Sequence, residues 1–292
     1  MSKDVRPLLH EAASQLREVG VASADQEARQ LLAYATGVEL ARLPLVDAVE
    51  DAEAAYFQAL INKRARRVPL QHLTGRAHFR HLELEVGPGV FVPRPETEVM
   101  TGWAIEQLRP MVYAVARGES RHLPVVVELG TGCGAIAKSI ATELTGTRVQ
   151  AVEVSEEAAA YAARNLADTT VELHVQDMIG VLPELEGTVD LVIANPPYIP
   201  LEAFESVVPE ARDHDPLLAL FAGDDGLDVI KVVVAEAARL LRPAGLLCIE
   251  HADVQGESAQ QVLIQHGAFA AVRDHRDLTG RSRFVTAVRR SR

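Results

Sequence analysis

Three consecutive valines, Val125-Val126-Val127, run directly into Glu128-Leu129-Gly130-Thr131-Gly132-Cys133-Gly134-Ala135. An apolar β-branched run, alternating glycines and then a helical pattern describe a buried strand, a tight turn and the start of a helix. Glycine lets the backbone turn sharply and approach a ligand, and the following helix N-terminus carries amide donors. The alternation continues on both sides. Arg148 to Val154 reads as a strand, Ser155 to about Leu166 as a helix, and Val171 to Val175 and Val189 to Ala194 as strands. A helix over Leu227 to Leu241, a strand over Gly245 to Glu250, a helix over Val254 to His266 and two strands around Thr279-Gly280 complete the series. Such a series predicts an α/β fold, a mostly parallel sheet with helices on both faces. Ligands of such sheets bind at the carboxyl ends of the strands.

The first seventy residues carry a different period. Val5, Leu8, Leu9, Ala12, Leu16 and Val19 mark one face of a helix. Ser23 and Gln26 have the spacing of a capping box for a second helix that runs to about Gly37. Ala52 to Arg67 is a third helix, with Ala55, Phe57, Leu60 and Ile61 turned inward. Residues 75 to 92 alternate around Gly87-Pro88-Gly89 and predict a β-hairpin, after which Pro93 and Pro95 introduce a helix near Glu96. The expected layout is a small all-α domain over 1–73, a hairpin connector over 74–92 and an α/β domain over 93–292.

Composition narrows the function classes. No stretch approaches eighteen uninterrupted apolar residues, so no membrane span is expected. Cys133 and Cys248 are too few for a disulfide framework and fall in segments that read as buried. A cytoplasmic location follows, and no metal-ligand cluster is expected. The net charge of −12 disfavours tracking along DNA. Lys63, Arg64, Arg66 and Arg67 form the one basic run, read either as a solvated helix end or as a contact with ribosomal RNA or an acidic protein face.

Three segments carry chemistry. The glycine loop, Gly130 to Gly134 with Ala135, satisfies a dinucleotide fingerprint, and Glu153 stands where an acid grips ribose hydroxyls. Both a nicotinamide dinucleotide and S-adenosylmethionine carry that ribose. Asp177 and Met178, after the third strand, offer an acceptor for an adenine amino group and an apolar face for its ring. Asn195-Pro196-Pro197-Tyr198, after the fourth strand, forms a rigid loop, because two prolines cannot continue a ladder and leave carbonyls free. Asn195 adds a donor and an acceptor, and Tyr198 adds a flat face. This slot suits a planar –NH2 group and has no use in hydride transfer.

Methylation of an amide explains such a slot. The nitrogen is a poor nucleophile because its lone pair is delocalised into the carbonyl. Acceptors on both N–H groups turn that lone pair toward the methyl, and the Asn195 side-chain oxygen and the Pro196 carbonyl are the natural acceptors. Positioning of this kind contributes roughly 7–11 kcal/mol. An extruded adenine amino group fits the same slot.

The chain resembles the HemK/PrmC family of protein-(glutamine-N5) methyltransferases. The resemblance rests on Pro69 to Gly75, on Val92-Pro93-Arg94-Pro95-Glu96-Thr97-Glu98, on Gly130 to Gly134 and on Asn195 to Tyr198. Asp215-Pro216, Ala219-Leu220 and Gly223 to Leu227 extend it. It implies a class I, Rossmann-like S-adenosylmethionine-dependent methyltransferase preceded by a helical domain that helps dock the substrate. That substrate would be the Gly-Gly-Gln glutamine of peptide chain release factors, reached near the ribosome, with S-adenosylhomocysteine as product. Implied cofactor contacts are Gly130, Thr131, Gly132, Cys133, Gly134, Glu153, Asp177, Met178 and Asn195, with Asn195, Pro196, Pro197 and Tyr198 holding the glutamine. Glu153 stands where the family often has aspartate, Met178 where it often has an aromatic, and Asp215 where glutamate is usual. A ribosomal-protein glutamine and DNA adenine are the alternative substrates.

Overall fold

The computed structural model describes residues 2–291. Its contacts divide the chain into two units, one built from residues up to 76 together with 208–214, the other from 77–207 and residues from 215 onward.

In the first unit a short strand, β1 (Ser2–Asp4), pairs antiparallel with β2 (Ala48–Glu50). Helices α1 (Val5–Glu18) and α2 (Ala24–Thr36) lie between them in sequence, and α3 (Asp51–Ala65) and the short α4 (Leu70–Thr74) follow. Val5, Ala12 and Leu16 of α1 are buried as the period predicts, whereas Val19 is the C-cap and lies exposed. The expected box at Ser23 does not form. Ser23 caps α2 with φ −101° and ψ 37°, and its side chain makes no cap bond. A capping side chain reaches the first turn from extended backbone, which Ser23 does not adopt. The box forms instead at α3, where the Glu50 amide donates to Glu53 Oε2 at 2.8 Å and the Glu50 side chain accepts in return. Ala54, not Ala55, joins Phe57, Leu60 and Ile61 in the core. Neighbouring helix positions differ by about 100° of rotation, and only the partner helices set which one faces inward.

The basic run divides: Lys63 and Arg66 are exposed, as a solvated helix end would be, whereas Arg64 is buried and Arg67 half-buried. Arg64 is 5% exposed and donates to Glu27 at 2.5 Å and to Glu210 at 2.9 Å. Arg67 donates to the same Glu210 at 2.7 Å. Glu210 lies in the short helix Pro209–His214, so these arginines hold a distant chain segment rather than facing solvent.

The second unit begins with a hairpin of β3 (Arg76–Phe79) and β4 (Leu82–Glu85), followed by α5 (Pro95–Ala116). Seven strands then build one sheet. They are β5 (Val125–Leu129), β6 (Arg148–Glu153), β7 (Glu172–Val175), β8 (Val189–Ala194), β9 (Leu241–Glu250), β10 (Phe269–Arg276) and β11 (Ser282–Arg289). The connections include α6 (Ala135–Glu143), α7 (Glu156–Leu166), α8 (Asp228–Leu240) and α9 (Gly256–His266). The spatial order is β10-β11-β9-β8-β5-β6-β7. β11 runs antiparallel to both its neighbours, β10 and β9, and the other neighbouring pairs are parallel. Val126 faces a core shared with α5, α6 and α7, while Val125, Val127 and Leu129 face a second core shared with α8 and α9. Burial on both faces is why β5 reads as an unbroken apolar run.

The hairpin is fastened to this unit. Buried Asn165 accepts from the Glu85 amide at 2.8 Å, donates to the Glu85 carbonyl at 3.0 Å, and donates to the Cys133 carbonyl at 2.8 Å. Arg80 grips Glu143 at 2.6 Å.

Candidate active site

Four neighbouring parallel strands, β8, β5, β6 and β7, bring the chemistry-bearing segments to one edge of the sheet. The glycine loop leaves β5, Glu153 ends β6, Asp177 and Met178 follow β7, and Asn195 follows β8. The chain leaves β5 for β6 on one side and later returns to β8 on the other, so a crevice opens between the ends of β5 and β8.

The glycine loop is shaped from inside. Gly130, Gly132 and Gly134 stand at φ 76°, 58° and 85°, where side chains are strained. A Cβ on Gly134 would also press on Leu166 at 3.1 Å, whereas one on Gly130 or Gly132 would meet no protein atom within 4 Å. The open side of those two glycines is the face available to a ligand. The amides of Gly130 and Thr131 donate to the Val152 carbonyl, each at 2.9 Å, and the Gly132 amide donates to Glu153 Oε2 at 2.8 Å. The Ala137 amide of α6 donates to Glu128 Oε2 at 2.8 Å, beside the Thr131 hydroxyl at 2.7 Å. The amides of Gly130, Thr131, Gly132, Gly134 and Ala137 are thus engaged within the protein. Glu128 has no counterpart in the residue-by-residue expectation. It is fully buried, and desolvation pushes its carboxyl up to about 8 against the pull of Thr131 and Ala137. Cys133 lies buried in the same loop, and burial pushes its thiol up to about 12, which leaves it inert.

Glu153 accepts from Gly132 through Oε2 and from the Ser155 amide through Oε1 at 2.9 Å. Each carboxylate oxygen has a second lone pair, so ribose hydroxyls can still be held. Asp177 is exposed, and its Oδ1 accepts from the Ile179 amide at 2.8 Å. Met178 is half-buried against the core beneath. Both stand at the strand edge where adenine contacts were expected.

The Asn195 loop is held from several directions. Pro196 is buried, while Asn195, Pro197 and Tyr198 are half-buried. Asn195 Nδ2 donates to Thr97 Oγ1 at 3.1 Å. The Tyr198 hydroxyl donates to Glu250 Oε1 at 3.3 Å, and burial pushes its pKa up. Buried Gln255 donates to the Tyr198 carbonyl at 2.9 Å and to the Asp225 carbonyl at 3.2 Å. Beyond Tyr198, Ile199 forms a parallel bridge to Phe221. Gly226, at φ 71°, leaves only 2.3 Å between a hypothetical Cβ and the Tyr198 carbonyl oxygen. The Gly223–Leu227 block therefore backs the Asn195 loop. Asp215, to which the sequence assigns no role, accepts from Arg94 at 2.8 Å, and Arg94 also lies over the Phe91 ring.

Glu250 is the residue that sequence reasoning missed here. It ends β9, is 1% exposed, and is pushed by burial up to about 7 against the influence of Thr97, Arg283 and Tyr198. Its sequence signal is an acid that follows an apolar stretch, Leu246-Leu247-Cys248-Ile249. No group of His, Cys, Asp and Glu side chains among the described residues is arranged to hold a metal ion.

The sheet order and the arrangement at its edge define a class I methyltransferase, a class that in general draws its methyl group from S-adenosylmethionine. Residues 7–75 match the PrmC N-terminal domain and residues 117–211 match the methyltransferase small domain. A methyltransferase from Pyrococcus furiosus shares the fold, with TM-score 0.51 and 21% identity over 79% of this chain and 99% of that one. A release factor glutamine methyltransferase of Streptomyces coelicolor is 47% identical over 277 residues, 95% of each chain. One of Mycolicibacterium smegmatis is 44% identical over 99% of each. The chain belongs to the release factor glutamine methyltransferase family.

Proposed function

We propose that this protein transfers a methyl group to the side-chain amide nitrogen of the Gly-Gly-Gln glutamine in peptide chain release factors. Cytoplasmic substrates place the enzyme in the cytoplasm, near the ribosome. When bound, S-adenosylmethionine supplies an electrophilic methyl group. The open faces of Gly130 and Gly132, the Glu153 carboxylate and the Asp177–Met178 edge are the groups that would hold it, with Thr131, Cys133 and Gly134 completing the loop.

The observation that carries this reading is the orientation of Asn195. Its Nδ2 is committed to Thr97, which turns Oδ1 away as an acceptor. Together with the Pro196 carbonyl, Oδ1 can take both N–H groups of a primary amide and leave the nitrogen lone pair facing the methyl. Tyr198 flanks the amide plane. As the nitrogen is alkylated its proton becomes acidic, and the two acceptors stabilise the developing charge. The helical unit contributes the docking surface for the release factor.

The test offers labelled S-adenosylmethionine together with a release factor, a ribosomal protein or duplex DNA. Label is expected on the release factor alone, at one glutamine. Label on DNA, or none on a release factor with Gly-Gly-Gln intact, overturns the reading. Asn195→Ala is expected to lower turnover by about 100-fold or more while cofactor affinity changes little.

A further inference from the structure

Among the described residues of the second unit, the large apolar side chains that lie exposed gather at one edge of the sheet. Apart from Tyr113, Leu123 and Ile264, they sit at the carboxyl ends of strands or on the connections beyond them. One group flanks the Asn195 loop. Leu201, Leu217 and Leu218 follow β8, Val254 follows β9, and Leu278 lies in the turn between β10 and β11. These side chains are 55% to 93% exposed.

Hydrogen bonds tie their positions to the loop. The Ile199 amide, next to Tyr198, donates at 2.9 Å to the carbonyl of Leu220, the last residue of the short helix Leu217–Leu220. That helix buries Leu220 and leaves Leu217 and Leu218 outside. The Leu201 amide donates to the Gly223 carbonyl at 3.1 Å. Val254 adjoins Gln255, which donates to the Tyr198 carbonyl at 2.9 Å. The end of β9 also fixes the place of Leu278. Glu250 pairs with Phe284 of β11, and the His251 amide donates to the Arg283 carbonyl at 2.9 Å. Arg281 then pairs with Asp253, beside Val254, at 3.8 Å. The turn itself is pinned, since Asp277 Oδ1 accepts from the Thr279 amide at 2.8 Å, the Thr279 hydroxyl at 2.6 Å and the Arg281 amide at 3.1 Å. Held out by such a turn, Leu278 is available to a partner rather than to the core. Neighbouring apolar side chains exposed beside a site mark a protein contact.

The surrounding charges bear on the partner. Glu202 and Asp224 are exposed, Arg281 is paired with Asp253, and Lys231 is paired with Asp225 and Asp228. A phosphate backbone would meet acids here instead of a basic track. A glutamine side chain spans only about 5 Å from Cα to its amide nitrogen. With that amide in the Asn195 slot, the backbone carrying it lies against this surface. The two glycines before it bring no side chains, so contacts must come from residues further out.

We infer that Leu201, Leu217, Leu218, Val254 and Leu278 form a recognition rim on the catalytic unit for apolar side chains that surround Gly-Gly-Gln in the folded release factor. This rests on the reading of the Asn195 slot as the glutamine site. The rim lies outside the reacting groups and holds the substrate equally before and during transfer. It therefore acts on KM and leaves kcat alone.

The test uses the double variant Leu218→Ser/Leu278→Ser. Leu123→Ser, just before β5 at the opposite edge of the sheet, is the control. Values of kcat and KM are measured on a full-length release factor. Calorimetry measures binding of that factor to enzyme loaded with S-adenosylhomocysteine, and sedimentation gives the oligomeric state. In the double variant KM and Kd are expected to rise about 10-fold or more. Its kcat is expected to stay within about two-fold of wild type, with cofactor affinity unchanged. Leu123→Ser is expected to match wild type throughout. Unchanged KM and Kd in the double variant, a fall in kcat alone, or an equal rise in Leu123→Ser overturns the inference. A wild-type dimer that the double variant dissolves with KM unchanged also overturns it, because a second copy of this chain then covers the rim. If the wild type labels the release factor and the rim variants keep its KM, only the rim fails. If the wild type leaves the release factor unlabelled, the glutamine reading fails with it.

Discussion

At the scale of single residues, the site depends on positions where no other side chain fits. Gly226 combines φ 71° with a 2.3 Å approach of its missing Cβ to the Tyr198 carbonyl oxygen. That oxygen belongs to rigid backbone already bound by Gln255. Gly226→Ala is therefore expected to cost more than about 1 kcal/mol of stability and to displace the Asn195 loop. Thermal unfolding and turnover measured together check it, and a variant with unchanged melting temperature and rate would contradict the packing described. Asn195 to Tyr198 was legible from sequence because two prolines after a buried strand impose a loop whatever surrounds them. Glu250 was not, because its meaning lies in the Tyr198 hydroxyl that donates to it. The two are 52 positions apart, and nothing in either local pattern names a partner.

At the scale of elements, periodicity located the helices and strands well and their faces less well. Strand β5 and helix α2 begin and end near their expected limits, since a β-branched run and a glycine at φ 67° are local signals. The Lys63–Arg67 run shows the opposite. A cluster of positive charge reads as solvated, yet Arg64 is buried because Glu27 and Glu210 complete its charge. Removing Glu210 leaves that guanidinium underpaired in a dry place. Glu210→Ala is expected to destabilise the protein by about 1–3 kcal/mol. Glu39, whose pair with Arg42 is 74% exposed on each side, is the control, and Glu39→Ala is expected to cost less than about 1 kcal/mol. Urea unfolding midpoints of the two variants make the comparison, and equal shifts would refute the difference in burial as its cause.

At the scale of the whole molecule, buried acids couple the fold to pH. The folded-state pKa of Glu128, about 8, lies above the value of 4.5 for a free side chain. Folding thus tightens proton binding, so the contribution of Glu128 is fully present below about pH 4.5 and is lost as pH rises through about 8. Both groups bonded to its Oε2 are donors, so a glutamine oxygen can replace it. Relative to wild type, Glu128→Gln is expected to gain on the order of a few kcal/mol between pH 5 and 8. Unfolding free energies of both proteins across that range measure the gain, and a constant difference would show that Glu128 does not titrate there.

The sequence by itself determined the alternation of strands and helices, the glycine loop at a strand end and the stiff Asn195-Pro196-Pro197-Tyr198 turn. Each is a consequence of local sterics or of a period read within a dozen residues. Only the tertiary structure decided that β11 inserts antiparallel between β9 and β10, and that the Gly130, Thr131, Gly132 and Gly134 amides are engaged within the protein. It alone decided that Arg64 is buried and that a carboxylate at the end of β9 accepts from the Tyr198 hydroxyl. These are pairings between distant segments. Their energies depend on desolvation and on the direction of hydrogen bonds, which exist only once the chain has brought both partners to the same place.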